Sequence, residues 1–250
     1  QMSADVDALA KKMGKSREQA LEALREFYDG YHFAAQSPDI FNPYSLLNAM
    51  AAGCLDYYWF SSGTPTYLIE MLKKFQVMPS EIGSCEADQS EFDAPTEGMS
   101  SVMPLLYQSG YITIKGYDSE TELYTLDIPN KEIRVGLYRS LLPNYIGMNT
   151  VKGTTTIAKM SALIRRNDMD GAMQMLQAYL ATVPYCNNAD SEGHYQQMMY
   201  VIFSILDNYV DVEVRTPSGR VDMVLRTATH LYLFELKLNK DADAAMKQIN

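Results

Sequence analysis

The sequence predicts a mixed α+β or α/β fold: a mostly helical N-terminal region interrupted by one small hairpin, then a helix–strand–strand–strand–helix unit incomplete at its C-terminus. Three observations predict it. Apolar residues recur at i, i+3, i+4 in most stretches up to Leu180. Period-two alternation is confined to Tyr111–Lys115 with Leu123–Leu126 and to Tyr209–Val214. Gly219–Lys237 reads as two apolar strands joined by a tight connection.

The first helix signal is Ser16 with Gln19, a capping box, followed by Ala20, Leu21, Leu24, Phe27 and Tyr28 at helical spacing before Gly30. Asn42 before Pro43, with Gly53 beyond, marks a second helix by its N-terminal Pro and C-terminal Gly. A third follows Pro65 to about Phe75, and residues 79–100 read as a solvated acidic loop. A helical turn at Met103–Tyr107 precedes a hairpin turning at Asp118–Glu120. Helices over Ile133–Tyr145, Thr156–Arg166 and Met169–Leu180 complete this region, and a boundary falls near 184. Beyond it, Glu192 opens a helix with Met199, Ile202, Phe203 and Leu206 on one face, and a last helix begins near Asp241 or Asp243.

Composition excludes several classes. With 250 residues, 47% hydrophobic and 21% charged, the chain is globular rather than disordered. No apolar run reaches the roughly eighteen residues of a membrane span and no leader pattern opens the chain, so a cytoplasmic location is expected. Cys54, Cys85 and Cys186 are too scattered for a disulfide framework or a zinc site and read as free thiols. Gly14–Lys15–Ser16 lacks the earlier glycine of a phosphate-binding loop, its place being taken by Leu9, so no ATP site is expected. The net charge of −10 opposes a nucleic-acid role, although residues 184–250 are only mildly acidic, with 6 Lys+Arg against 9 Asp+Glu. The chain starts at Gln1 rather than Met and stops at Asn250 inside a helical pattern, which reads as a fragment of a longer protein.

The Gly219–Lys237 hairpin carries the chemistry. With Ala228–Thr229 as a two-residue loop, Thr227 faces His230 and Asp222 faces Glu235. Opposed residues share a face, and Lys237, two beyond Glu235, joins it. Two carboxylates and an ammonium on one side of a sheet suit divalent-metal hydrolysis, with hard oxygen ligands for Mg²⁺ or Mn²⁺ and a lysine to orient water and offset charge at phosphorus. The bland alternative is a surface ion pair of Asp222 with Arg220 or Lys237. His194 and His230 read as structural, and Arg165–Arg166 as partners for a helix C-terminus.

Asp222 followed after twelve residues by Glu235–Leu236–Lys237, with flanking helices and a third strand, resembles the PD-(D/E)XK nuclease superfamily. The resemblance implies a restriction-endonuclease-like αβββα core over 184–250. It places Asp222, Glu235, Glu192 and the Leu236 carbonyl at the metal, Lys237 at the attacking water and Gln248 near the site, with DNA or RNA as substrate. Gln196 lies four residues on from Glu192 and shares its helical face. The usual proline is absent before Asp222, where Val221 stands.

Tyr28–Phe33 (YDGYHF), Phe41–Ala49 (FNPYSLLNA) and Tyr58–Leu68 (YWFSSGTPTYL) are similar to the C-terminal part of an AAA-ATPase-like family that precedes such domains in Bacteroides-type bacterial proteins. This implies that residues 1–183 are the tail of an ATPase-like region, with its nucleotide-binding loop upstream, able to meet a protein partner through its helices. The competing expectation is a non-catalytic scaffold of the same fold.

Overall fold

The computed structural model describes residues 2–62, 65–146, 150–181, 192–206, 209–216, 219–227 and 229–236. The chain divides into two compact units, residues 1–137 and 138–250. The division falls inside a helix rather than in a linker.

In the first unit, α1 (Met2–Met13), α2 (Arg17–Tyr28) and α3 (Pro43–Ala52) pack around Val6, Leu9, Leu24, Tyr28, Leu46 and Ala49. The termini form as the sequence dictates. Ser16 Oγ accepts from Gln19 N while Gln19 Oε1 accepts from Ser16 N. Asn42 Oδ1 accepts from Tyr44 N and Ser45 N, and Gly53 closes α3 in the left-handed region at φ +75°. Tyr28, with no exposure, ties this cluster to the following loop, donating to Asp56 O and accepting from Asp56 N, both at 2.9 Å.

A 3₁₀ turn over Tyr58–Ser62 and α4 (Thr66–Lys74) follow. The acidic stretch expected to be a loop has short regular pieces: β1 (Cys85–Ala87) and α5 (Gln89–Phe92). Two of its acids are structural, since Asp88 Oδ1 accepts from Ser90 N and Glu91 Oε2 from Asp88 N, both at 2.8 Å. The strand was not legible because β1 exists only by pairing with β3, about forty residues on. After α6 (Met103–Gln108), β2 (Thr113–Asp118) and β3 (Leu123–Asp127) form the expected hairpin, in an antiparallel sheet of order β1-β3-β2. Phe92 packs edge-on against Tyr107 and Tyr124. Lys115 Nζ donates to Gly30 O and Pro129 O. Gly30 has φ +100°, and a Cβ there would run into the Pro129 carbonyl, so this crossing requires glycine.

α7 (Lys131–Ile146) carries the chain from one unit into the next. In the second unit, α8 (Thr150–Arg165) packs on α9 (Met169–Leu180), burying Ile157, Met160, Leu176 and Tyr179. Then come α10 (Glu192–Ile205), β4 (Tyr209–Thr216), β5 (Gly219–Arg226) and β6 (Leu231–Phe234), the strands forming an antiparallel sheet of order β4-β5-β6. Among the described residues both sheets are antiparallel, which makes the class α+β. The expected last helix lies outside the described residues.

α10 departs from the one-faced helix that its spacing predicts. Met198, Tyr200, Val201 and Ile205 are buried along with Met199, Ile202, Phe203 and Leu206. The reason is double coverage. Phe203 stacks on Phe234 of β6 at 5.4 Å, while Tyr200 meets Tyr138 of α7 edge-on, their hydroxyls 3.1 Å apart. A helix packed on two sides is apolar around most of its circumference. No helix among the described residues is long and apolar enough to cross a membrane.

Candidate functional site

The site is built at the end of the β5–β6 ribbon. Thr227 N donates to His230 O at 2.9 Å, and His230 N donates to Thr227 Oγ1 at 2.9 Å. From there the register runs Arg226↔Leu231, Leu225↔Tyr232, Val224↔Leu233 and Met223↔Phe234. Asp222 and Glu235 are the next residues outward. The ladder stops there because Leu236 N donates to the Asp222 carboxylate, Oδ2, at 2.8 Å instead of to a backbone carbonyl. One side chain thus caps the strand that carries the other acid.

β5 can hold an acid at this point because it is otherwise a central apolar strand. Val221, Met223, Val224 and Leu225 are buried, and Asp222 is half-buried, as are Glu235 and Leu236. α10 fixes the backbone beneath the acid: Gln196 Nε2 donates to Asp222 O at 2.7 Å, and Gln196 is 9% exposed. Asp222 is therefore gripped twice, at its carbonyl by a helix and at its carboxylate by the neighbouring strand. Helical spacing assigns Gln196 a face but not this partner, which lies 26 residues away.

Among the residues expected at the site, Asp222, Glu235 and Leu236 come to the same end of the ribbon. Glu192 opens α10, with its side chain outside the described residues, as is His194. Lys237 and Gln248 also lie outside the described residues. Among the described residues no three His, Cys, Asp or Glu side chains form a metal-binding group. The donors present still suit a hard divalent cation: two half-buried carboxylates and a backbone carbonyl, all oxygen. A carboxylate has about four acceptor positions, so the Leu236 hydrogen bond is compatible with a ligand role for Asp222.

The remaining candidates resolve into structural roles. His230 Nδ1 bonds Thr229 Oγ1 and its ring stacks on Tyr232. Arg165 donates to Ser161 Oγ one turn back. His32, which had no partner by spacing, meets Asp39 Oδ1 at 3.1 Å. Cys54 and Cys85 are free thiols, and Cys186 lies outside the described residues.

The helix-plus-ribbon arrangement thus brings Asp222 and Glu235 to one end of a sheet backed by α10. Residues 190–250 match the family model described as PD-(D/E)XK nuclease superfamily. Over 224 residues the chain is 30% identical to a protein of Azotobacter chroococcum mcd 1, described as "Uncharacterized protein in vnfD 5'region". That alignment takes in 87% of this chain but 43% of the relative, so the chain spans under half the relative's length. No solved structure matches the chain. The comparisons lend no support to an ATPase-like region in residues 1–183.

Proposed function

We propose that the C-terminal segment hydrolyses phosphodiester bonds of DNA or RNA with the aid of Mg²⁺ or Mn²⁺. The observation that carries the reading is the double anchoring of Asp222 beside Glu235, inside the stretch 190–250 that matches the superfamily model. In this reading Asp222, Glu235 and the Leu236 carbonyl hold the cation, with Glu192 completing the set. The cation, when bound, polarises the phosphodiester and lowers the pKa of a ligated water. Lys237 orients the attacking water and offsets charge at phosphorus, and Gln248 assists at the rim. Pre-positioning matters here because the charge that develops at phosphorus is stabilised by groups already held in place.

The acidic balance of the chain supports a second reading, a non-catalytic scaffold of the same fold. Calorimetric titration of the intact protein with Mn²⁺, beside cleavage assays on supercoiled plasmid and single-stranded RNA, separates them. Saturable Mn²⁺ binding with metal-dependent cleavage, both lost in Asp222→Asn, is expected. Absence of Mn²⁺ binding at millimolar concentration would leave the scaffold reading.

A further inference from the structure

The chain carries a net charge of −10, yet residues 133–167 contain no Asp or Glu and six basic residues: Arg134, Arg139, Lys152, Lys159, Arg165 and Arg166. The last four lie on α8 or directly after it. Lys152, Lys159 and Arg166 are spaced by seven, which returns a helix to nearly the same face. The opposite face is the buried one, with Ile157, Met160 and Ile164.

Lys159 and Arg166 are exposed, and among the described residues neither has a carboxylate within ion-pairing distance. Arg166 N donates to Leu163 O at 3.0 Å, so this residue keeps the turn on which α8 ends. Arg165 is engaged differently, its guanidinium donating to Ser161 Oγ. The acids that follow serve the start of α9: Asp168 Oδ1 accepts from Gly171 N, and Asp170 lies in the first turn. Basic residues gathered on one face of a helix are the electrostatic footprint of a phosphate backbone.

The end of α8 is fastened beside the acid pair. Tyr232 donates its hydroxyl to Asn167 Oδ1, which docks the residue next to Arg166 against β6. Glu235 follows Tyr232 by three residues, roughly 10 Å along a strand. Lys159 and Arg166 are seven residues apart, again roughly 10 Å of helix rise. At roughly 3.4 Å per phosphate along one strand of a duplex, that stripe spans about three phosphates.

We infer that Lys159 and Arg166 hold the phosphate backbone of the nucleic acid that the acid pair is proposed to cut. The inference rests on that reading for its substrate, and it supplies what the acidic balance of the chain otherwise lacks, a surface that attracts a polyanion. Phosphate contacts position a nucleic acid without reading its sequence, so binding here is sequence-independent and weakens with salt.

The test follows the anisotropy of a fluorescein-labelled oligonucleotide, as DNA and as RNA of one sequence, titrated with the whole chain in EDTA so that nothing is cleaved. Binding of either in the micromolar range is expected at about 50 mM salt, with log K falling linearly against log salt. Lys159→Ala combined with Arg166→Ala should weaken binding about tenfold and reduce the salt slope by about 2. Arg166→Lys keeps the charge and should retain binding. Lys11→Ala combined with Lys15→Ala removes the same charge from exposed positions in the first unit and should leave binding unchanged. The inference is overturned if the Lys159 and Arg166 variant binds like the wild type, or if the Lys11 and Lys15 variant loses as much. It is equally overturned if poly-L-glutamate competes as well as unlabelled oligonucleotide, which would make the stripe a seat for acidic protein. Cleavage assays in Mn²⁺ separate this inference from the reading of the acid pair. Stripe-dependent binding by a chain that never cuts overturns the acid pair and keeps the stripe, whereas metal-dependent cutting at the wild-type rate by the Lys159 and Arg166 variant does the reverse.

Discussion

The carboxylate of Asp222 receives the backbone N–H of Leu236 at 2.8 Å, so the two halves of the motif are joined by a hydrogen bond that is neither ladder nor salt bridge. The bond does structural and chemical work through the same side chain, and the two can be separated by substitution. Asp222→Asn retains an oxygen to accept from Leu236 but has no charge for a cation. It should unfold at the wild-type urea concentration and show no Mn²⁺ binding by calorimetry. Asp222→Ala loses both, and its stability should fall by about 1–3 kcal/mol, the usual range for an N–H left without a charged acceptor. If both variants bind Mn²⁺ normally, Asp222 is a strand cap and nothing more.

Gln196 offers a second test of the site's rigidity. Its amide holds the Asp222 carbonyl at 2.7 Å from a buried position on α10, the helix that Glu192 opens. Gln196→Leu keeps the bulk but deletes the donor, which should cost about 1–2 kcal/mol and lower Mn²⁺ affinity about tenfold, as loss of a group that orients a ligand does. A structural role alone predicts the stability change with unaltered affinity. Titration calorimetry and urea unfolding on one preparation distinguish the outcomes.

What was legible in advance follows the range of the interactions. Ser16 with Gln19, and Asn42 with Pro43 and Gly53, act within one or two turns, so the residues themselves announce the helix ends. The β5–β6 register was legible for the same reason: a two-residue loop leaves one alignment that pairs the apolar positions, and Met223↔Phe234 agrees with it. Partnerships across many residues were hidden. Ser45 and Trp59 converge on Glu132 from 87 and 73 positions away, and β1 forms only because β3 returns beside it.

Glu132 makes stability depend on pH. It is fully buried, Oε1 accepts from Ser45 Oγ at 2.9 Å and Trp59 N at 2.8 Å, and Oε2 has no partner. Burial raises its pKa above the ordinary 4.5, and the hydrogen bonds from Trp59 and Ser45 offset only part of that. Because the folded-state pKa is the higher one, the folded state binds the proton more tightly. Its contribution to stability is full below the unfolded-state pKa and is lost as the pH rises through the folded-state value. Urea midpoints followed by Trp59 fluorescence should therefore fall over this window. Glu132→Gln keeps an acceptor for Trp59 and Ser45 but cannot ionise, and the decline attributable to this site should vanish. An unchanged slope would mean that the carboxyl titrates as in the unfolded chain.

Gly136 sets local propensity against packing. It lies inside α7, where replacing glycine by alanine ordinarily stabilises a helix by roughly 0.5–1 kcal/mol. Here a Cβ would run into the ring of Phe60, with Cγ of that ring still at 2.8 Å, so the whole ring would have to move. Phe60 is held in turn by an edge contact with Tyr111 at 6.3 Å. Overpacking of this kind costs about 1–3 kcal/mol, which exceeds the propensity gain, so Gly136→Ala should be destabilising. Phe60→Leu removes the obstructing ring. In that background Gly136→Ala should become neutral or stabilising, and a double-mutant cycle in urea should show a coupling of about 1 kcal/mol or more. Additive effects would show that the ring yields freely and that glycine is not required at this position.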